Sequence, residues 1–311
     1  GMDPLPGARL TLINPDPTAP YTGMLPGHVA GHYPRRALEI DLVRLARFAG
    51  ARLVLGAADG IDRAAKRVHV PGRPPIRYDV VSVNVGISTA LPDVPGLGAH
   101  AVPAKPLGRF ATRWEDFLAA VAEGRAAPDV AVIGGGVAGV ELALAMAFRL
   151  RSHGAQPRVT VIEAGVAMKE LAAGTQAILR RRLRRDGISL IEGTAVAEVT
   201  AAGVTTADGR SVAAGLVVSA AGAVPPPWLS RLGLPTTRGF LTVDRHLRST
   251  GDPSVFVAGD CAHLGFAPRP KAGVYAVRAA PVLTANLRAA LGAGTRRPFR
   301  PQRDYLKLIS M

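Results

Sequence analysis

The residues VAVIGGGVAGVELALAMAF, Val130 to Phe148, decide the fold predicted for this chain. Four apolar residues, Val130 to Ile133, are typical of a short buried strand, and they run directly into a G-x-G-x-x-G turn. In this motif Gly134 allows the tight turn, Gly136 lets a pyrophosphate approach the backbone, and Gly139 lets the following helix pack closely on the strand. The N-terminus of that helix presents unpaired N–H groups and a positive dipole end to phosphates. The stretch therefore predicts a dinucleotide-binding βαβ unit.

A second apolar strand, Val159 to Ile162, ends at Glu163. An acidic side chain at this position accepts a hydrogen bond from the adenosine ribose 2′-OH, and it would repel the 2′-phosphate of NADP. We therefore expect NAD(H) as the dinucleotide. The alternative for Val130–Phe148 is a transmembrane helix, since Glu141 alone interrupts its apolar and small residues. Three consecutive glycines, a carboxylate in mid-span and the repeated strand–turn–helix order all favour the dinucleotide site.

Length and composition indicate a globular protein of about two domains, because the chain has 311 residues and is 48% hydrophobic. Its one cysteine, Cys261, excludes an internal disulfide, a CxxC redox pair, an iron–sulfur cluster and a cysteine zinc site. No signal-peptide pattern opens the sequence, so we expect a cytoplasmic protein, with attachment to the inner face of the membrane as an alternative. The net charge of +15 comes from scattered basic residues. The dense cluster Arg180–Arg185 has the spacing of a solvated helix face, and nucleic-acid binding is not expected.

The chain follows one plan twice. Each half has a strand that ends at Asn14 or Glu163, then a helix, an antiparallel meander and a strand that closes on Gly86 or Gly222. Two βαβ-type halves with inserted meanders predict an α/β fold with two doubly wound dinucleotide-binding domains, in a three-layer ββα arrangement.

Three further predictions concern secondary structure in the first half of the chain. The Gly- and Pro-rich segment Tyr21–Gly27 is predicted to be a loop, and a helix is predicted over Leu38–Phe48. The strands of the first meander are predicted at Arg52–Gly56, Gly60–Ala64 and Arg67–Val70.

The whole chain resembles the flavoproteins with two dinucleotide-binding domains, the pyridine nucleotide-disulfide oxidoreductase superfamily. It looks most like the cysteine-poor branch near type II NADH dehydrogenases. The most specific marks are Gly134–Glu141, the segment Val255–Asp260 and the tract Tyr21–Tyr33, which is similar to the subgroup fused to, or found beside, selenide, water dikinase. The resemblance implies a discontinuous FAD-binding domain over residues 1–126 and 241–311, and an NAD(P)-binding domain over residues 127–240.

The resemblance also implies the flavin contacts. Asp260 would accept a hydrogen bond from the ribityl chain of FAD. The helix start at Lys271, Ala272 and Gly273 would stabilise negative charge on the pyrimidine ring of the reduced flavin. Asn14 stands where the family has an acidic ribose ligand, so its contact is expected to be weaker. Backbone contacts with a cofactor are further expected at Ala58, Gly86, Gly222 and Gly259.

Two side chains are candidates for chemistry at the flavin. Glu141 lies in the first turn of the helix after the glycines, and in relatives this glutamate faces the reactive edge of the flavin. The alternative role of Glu141 is favourable charge at a helix N-terminus. Lys105, in the predicted interdomain loop, is the second candidate. Cys261 has no redox partner and is expected to be structural, and no metal site is expected.

One segment of the family pattern is absent from the sequence. No strand–GxGxxG–helix precedes Asn14, so the first domain is expected to be incomplete at its N-terminus. The leading function is an FAD enzyme that takes hydride from NADH and passes electrons to a quinone or another small acceptor. The alternatives are an apo module that cannot hold FAD and is inactive, and an FAD-dependent oxidoreductase that acts on a selenium or sulfur species. Association with selenide, water dikinase, contact with a membrane and a homodimer stay open.

Overall fold

The computed structural model describes residues 5–89, 93–305 and 307–310. The strands formed by these residues are β1 (Thr11–Asn14), β2 (Thr18–Pro20), β3 (Glu39–Asp41), β4 (Arg52–Leu55), β5 (Gly60–Asp62), β6 (Arg67–His69), β7 (Ile76–Arg77), β8 (Val81–Val83), β9 (Ala101–Pro103), β10 (Val130–Ile133), β11 (Val159–Glu163), β12 (Ser189–Glu192), β13 (Val196–Thr200), β14 (Gly203–Thr206), β15 (Ser211–Ala213), β16 (Leu216–Ser219), β17 (Thr236–Thr237), β18 (Phe240–Val243), β19 (Val255–Val257) and β20 (Ala262–Leu264). The α-helices are α1 (Leu25–Val29), α2 (Leu42–Phe48), α3 (Leu97–His100), α4 (Leu107–Ala122), α5 (Val137–Ser152), α6 (Ala173–Arg185) and α7 (Gly273–Ala290).

The chain divides into two compact units. Unit 1 comprises Gly1–Ala19, Glu39–Ile87 and Val224–Leu306, and unit 2 comprises Pro20–Leu38, Ser88–Ala223 and Lys307–Met311. These bounds differ from the predicted ones, which assigned all of residues 1–126 to the first domain.

The reason for the difference is the packing of α1 and α4. The indole Nε1–H of Trp114, on α4, donates to the carbonyl oxygen of Val29, on α1, over 3.2 Å. Both residues share one apolar core with Leu144 of α5. The hydrophobic contacts of α1 and α4 therefore place them in unit 2, with the helix that follows the glycine turn.

Unit 2 is built on a parallel five-stranded sheet in the order β12-β11-β10-β16-β9. Strand β10 lies at its centre: Val130 is opposite Val159 on one side and Leu216 on the other. All four residues of β10 are buried, and α5 is buried over most of its surface. Burial in the protein core accounts for the apolar character of Val130–Phe148. No helix of the described residues is long and apolar enough to cross a membrane.

The parallel strands of unit 1 form two separate pairs. Strand β1 pairs in parallel with β4, and β8 pairs in parallel with β19. In unit 2 the matching pairs are β11 with β12 and β16 with β9, and β10 joins them into one sheet. Among the described residues of unit 1, no strand takes the place that β10 has in unit 2. In the part of the chain that the structure describes, the doubly wound α/β plan is thus complete in unit 2, whereas unit 1 shows no central strand.

Two predicted elements of unit 1 were wrong in detail. The segment Arg52–Leu55, predicted to open an antiparallel meander, is instead the parallel partner of β1. The meander itself consists of β5, β6 and β7. The helix predicted from Leu38 begins at Leu42, because the Asp41 carboxylate accepts the Arg44 N–H over 2.9 Å and so caps α2.

The predicted loop Tyr21–Gly27 was also wrong, since it folds into a 3-10 turn at Thr22–Met24 and runs into α1. Pro26 stands in the first turn of that helix, where its missing N–H removes no helical hydrogen bond. Burial of Leu25 and Val29 supplies the stabilisation that the Gly- and Pro-rich sequence does not.

Candidate dinucleotide site

The glycine turn between β10 and α5 contains two positions at which the fold itself requires glycine. Gly134 has a φ of +109°, a conformation that side chains disfavour. At Gly139 a Cβ atom would lie 1.9 Å from the carbonyl oxygen of Gly134. The backbone of α5 therefore approaches the end of β10 too closely for any side chain, as predicted for a helix packed tightly on its strand.

Gly136 is different, because a Cβ atom there would meet no fixed backbone and would make only an ordinary contact with a side chain. It is the N-cap of α5, with φ −67° and ψ 174°, a conformation that any residue adopts. The nearest atom to a Cβ there is a carboxylate oxygen of Glu170, at 3.6 Å. The atom that faces Gly136 thus belongs to an exposed side chain, which a ligand could displace. The motif predicts that a pyrophosphate occupies that place.

Glu163 is held at the end of β11, beside this turn. Its Oε2 accepts the N–H of Gly135 over 2.7 Å, and its Oε1 accepts the N–H of Gly165 over 3.0 Å. Each carboxylate oxygen can accept a second hydrogen bond. The carboxylate is therefore oriented by the backbone and keeps acceptor capacity for a ribose hydroxyl.

The segment after β11 is fastened to the turn by contacts that the sequence did not reveal. The N–H of Met168 donates to the carbonyl oxygen of Gly135 over 2.8 Å. The N–H of Ala167 donates to Glu192, at the end of β12, over 2.6 Å. Arg180 of α6 pairs with the same carboxylate, and its hydrogen bond is the main cause of the lowered pKa of Glu192. Glu192 therefore acts as an ionised anchor for the backbone at Ala167.

The two candidates for chemistry lie in different elements of unit 2. Glu141 projects from the second turn of α5, not from the first turn as predicted, because the helix begins at Val137. Its carboxylate accepts the N–H of Ser310 over 2.7 Å. Burial raises the pKa of Glu141, and the hydrogen bond from Ser310 opposes that rise. Lys105 precedes α4, and its backbone N–H donates to Oγ1 of Thr89 over 3.0 Å. Gly222 follows β16 with a φ of +70°.

Several predicted flavin contacts lie together in unit 1. One cavity is lined by Gly259, Asp260, Lys271 and Ala272, with Tyr275 beside them. Lys271 donates to the carbonyl oxygen of Ala262, and its Nζ lies 3.9 Å from the centroid of the Phe240 ring.

Charge and polarity in this cavity suit a polar ligand. Burial lowers the pKa of Lys271, and the nearby charge of Asp260 opposes that shift. The buried hydroxyl of Tyr275 has no hydrogen-bond partner among the described residues. A buried polar group of this kind is usually satisfied by water or a ligand. The helix start at Gly273 and these side chains fit the ribityl and pyrimidine end of a flavin.

The remaining predicted contacts lie at or just beyond the carboxyl ends of parallel strands in unit 1. The side-chain amide of Asn14 donates to the carbonyl oxygen of Asp16 over 2.7 Å, so it closes its own turn. Ala58 is half-buried between β4 and β5. Gly86 follows β8 with a φ of +67° and open space around its Cβ position. Among the described residues of unit 1, a glycine-rich strand-to-helix turn for the FAD pyrophosphate is missing.

Cys261 takes no part in either candidate site as a reactive thiol. Its side chain is fully buried, and burial raises the pKa of the thiol to about 11. A thiol is unreactive in its protonated form. The structural role predicted for this residue agrees with its burial.

The chain belongs to the pyridine nucleotide-disulphide oxidoreductase family, whose sequence model matches residues 4–280. An NADH dehydrogenase-like protein of Mycobacterium tuberculosis is 30% identical over 224 residues, which are 69% of this chain and 56% of the relative. A nitric oxide reductase FlRd-NAD(+) reductase of Aeromonas salmonicida is 32% identical over 209 residues, 65% of this chain and 50% of the relative. The chain therefore spans about half the length of these relatives.

The solved structures share the fold. An NAD-dependent persulfide reductase from A. fulgidus superimposes with a TM-score of 0.79 at 22% identity, covering 94% of this chain and 56% of that one. This match confirms the predicted α/β dinucleotide-binding architecture.

Proposed function

For this member of the pyridine nucleotide-disulphide oxidoreductase family, we propose an NADH-dependent flavin oxidoreductase that reduces a small electron acceptor. NADH is the proposed ligand of unit 2 and FAD that of unit 1. The observation that carries the proposal is the glycine turn of unit 2. At Gly139 packing against fixed backbone excludes any side chain, whereas at Gly136 the nearest atom to a Cβ position is a carboxylate oxygen of the exposed Glu170, whose side chain can move away from the helix N-terminus.

Each part of NADH has a matching group in unit 2. The N-cap residue of α5 is Gly136, which has no side chain to cap the helix. The dipole and the first N–H groups of α5 suit a pyrophosphate. Glu163 accepts two backbone N–H bonds that fix its orientation. Its negative charge suits a ribose diol and opposes a 2′-phosphate. The proposed ligand is therefore NADH rather than NADPH.

The roles proposed in unit 1 follow from the cavity that Asp260 and Lys271 line. Asp260 would accept a hydrogen bond from a ribityl hydroxyl. Lys271, with the N–H groups that open α7, would stabilise negative charge on the pyrimidine ring. FAD, when bound, supplies the capacity to accept hydride and to release electrons singly or in pairs. Glu141, whose pKa burial raises, is proposed to position the nicotinamide or to hold a proton.

The acceptor is proposed to be a quinone or another small electron carrier. The Aeromonas relative is named as a reductase of FlRd, and the A. fulgidus structure as a persulfide reductase. These names extend the range of acceptors to test to FlRd and to persulfides, and a selenium species stays a prediction from the resemblance. Association with selenide, water dikinase stays a prediction from the tract Tyr21–Tyr33. A cytoplasmic location, membrane contact and a homodimer likewise stay predictions.

An anaerobic titration tests the proposal. The protein is purified, supplied with FAD, freed of unbound flavin and titrated with NADH while the visible flavin absorption is recorded. Loss of the oxidised flavin band in proportion to added NADH is the expected result. A protein that binds neither FAD nor NADH would overturn the proposal.

A second candidate function is a module that binds the nicotinamide dinucleotide but does not hold FAD. Among the described residues of unit 1, no central strand joins the pair β1–β4 to the pair β8–β19. The phosphate-binding turn of a dinucleotide-binding domain follows that central strand, so its absence there favours this second function. Saturable NADH binding to a protein that stays colourless after incubation with FAD would select this function.

A further inference from the structure

The N-terminus of α5 already has an anion against it, which belongs to the chain itself. The backbone N–H of Val137, the first residue of the helix, donates to Oε1 of Glu170 over 3.0 Å. Glu170 lies 33 residues along the chain and outside any regular element. This carboxylate therefore takes the hydrogen bond that the glycine turn offers to a pyrophosphate.

The segment that carries Glu170 is held close to the turn by its neighbours. Met168 is fully buried and has a φ of +56°. Its N–H donates to Gly135, in the same turn that Glu170 covers. On the other side, Glu192 accepts the N–H of Ala167. The backbone is thus anchored up to Met168, and the exposed side chain of Glu170 reaches back from there to the helix.

We infer that Glu170 is an internal competitor of the dinucleotide, a carboxylate that must leave the N-terminus of α5 before the pyrophosphate binds. This inference rests on the proposed NADH site of unit 2. The pyrophosphate and the carboxylate are both negative, and both are stabilised by the same N–H group and the same helix dipole. Because Glu170 is exposed, its side chain can turn into solvent without burying its charge. The contact therefore lowers affinity for NADH and leaves the site intact.

The test compares the binding of NADH, ADP and adenosine to three proteins by titration calorimetry. Glu170→Ala removes both the hydrogen bond and the charge. The matched control Glu198→Gln removes one exposed carboxylate from β13. We expect Glu170→Ala to bind NADH and ADP about three- to tenfold more tightly than the unchanged protein. Adenosine has no phosphate, so its affinity should stay the same, and Glu198→Gln should bind all three ligands as the unchanged protein does.

A structural role for Glu170 predicts the opposite sign. If the carboxylate served mainly to hold residues 164–172 in place, its loss would misplace Glu163 and weaken NADH binding. Weaker or unchanged NADH binding by Glu170→Ala, with normal binding by the unchanged protein, would overturn the inference and leave the proposed function standing. Failure of all three proteins to bind NADH would overturn the proposed function instead.

Salt provides an independent readout. Exposed charges are screened at high ionic strength, so the advantage of Glu170→Ala should shrink between low and high salt. A salt-independent advantage, or an equal gain for adenosine, would contradict competition between two anions.

Discussion

Two glycines of the same turn should respond to the same substitution in opposite ways. In Gly139→Ala the new methyl would lie 1.9 Å from the Gly134 carbonyl oxygen, so α5 must move off β10. Overpacking of this kind costs about 1–3 kcal/mol, and the contact with fixed backbone favours the upper end. A cost of about 3 kcal/mol lowers the melting temperature of a unit of this size by roughly 6–12 °C.

Gly136→Ala places its methyl in ordinary van der Waals contact with a carboxylate oxygen of Glu170, at 3.6 Å, and φ at this position suits alanine. The weaker N-cap and the stiffer unfolded chain nearly offset each other, so stability should change by less than about 1 kcal/mol. In the proposed NADH complex, however, the methyl would stand where the pyrophosphate approaches, and we expect the Kd for NADH to rise at least about tenfold, or 1.4 kcal/mol.

Thermal unfolding followed by circular dichroism, combined with NADH titration of each variant, separates the two effects. Gly174→Ala, in the first turn of α6 with open space around it, is the matched control: it should leave NADH affinity unchanged and raise stability by less than about 1 kcal/mol. A melting temperature of Gly139→Ala equal to that of the unchanged protein would refute the role given to Gly139. NADH binding by Gly136→Ala as tight as that of the unchanged protein would refute the role given to Gly136.

Three further predictions follow from single side chains. Glu163→Gln weakens the contact to the ribose and removes the charge that opposes a 2′-phosphate, so the preference for NADH over NADPH should fall about tenfold in paired titrations; an unchanged ratio would exclude this role. Asp129 is buried and pairs with Arg158, whose hydrogen bond lowers the pKa of the Asp129 carboxyl. That stabilisation is complete above the unfolded-state pKa of about 3.9 and is lost as the pH falls through the lower folded-state pKa. Asp129→Asn should therefore cost about 1–2 kcal/mol at neutral pH, and its melting temperature should converge with that of the unchanged protein below about pH 4; a constant difference would contradict this. Cys261, with its pKa raised to about 11, should react with a thiol reagent at mildly alkaline pH only after unfolding in guanidinium chloride, and rapid labelling of the native protein would show that the thiol is accessible.

The sequence predicted the parts of the fold whose signals are local. A buried strand, a glycine turn and an apolar helix stand next to each other at Val130–Phe148, and all three formed where expected. The fixed spacing to Glu163 likewise located the end of β11, because strand, turn and helix lengths leave little freedom between these positions.

The parts that were missed depend on contacts between distant segments. Strand β4 has the same short apolar pattern whether it pairs with β1 or with a meander, and its partner is decided by tertiary packing. Helix α1 forms against its Gly- and Pro-rich sequence because Leu25 and Val29 find a buried surface on other helices. Nothing in the sequence distinguishes Glu170 and Glu192 from other glutamates. Only the folded backbone brings Glu170 to Val137 and Glu192 to Ala167.

In the proposed function, the glycine turn of unit 2 and Glu163 together bind NADH. The most direct measurement is a titration of the purified protein with NADH and, in parallel, with NADPH. We expect saturable binding of NADH at one site per chain, and binding of NADPH at least about tenfold weaker because the proposed role of Glu163 opposes the 2′-phosphate. Equal affinities for the two dinucleotides, or no saturable binding of NADH, would contradict the proposed site.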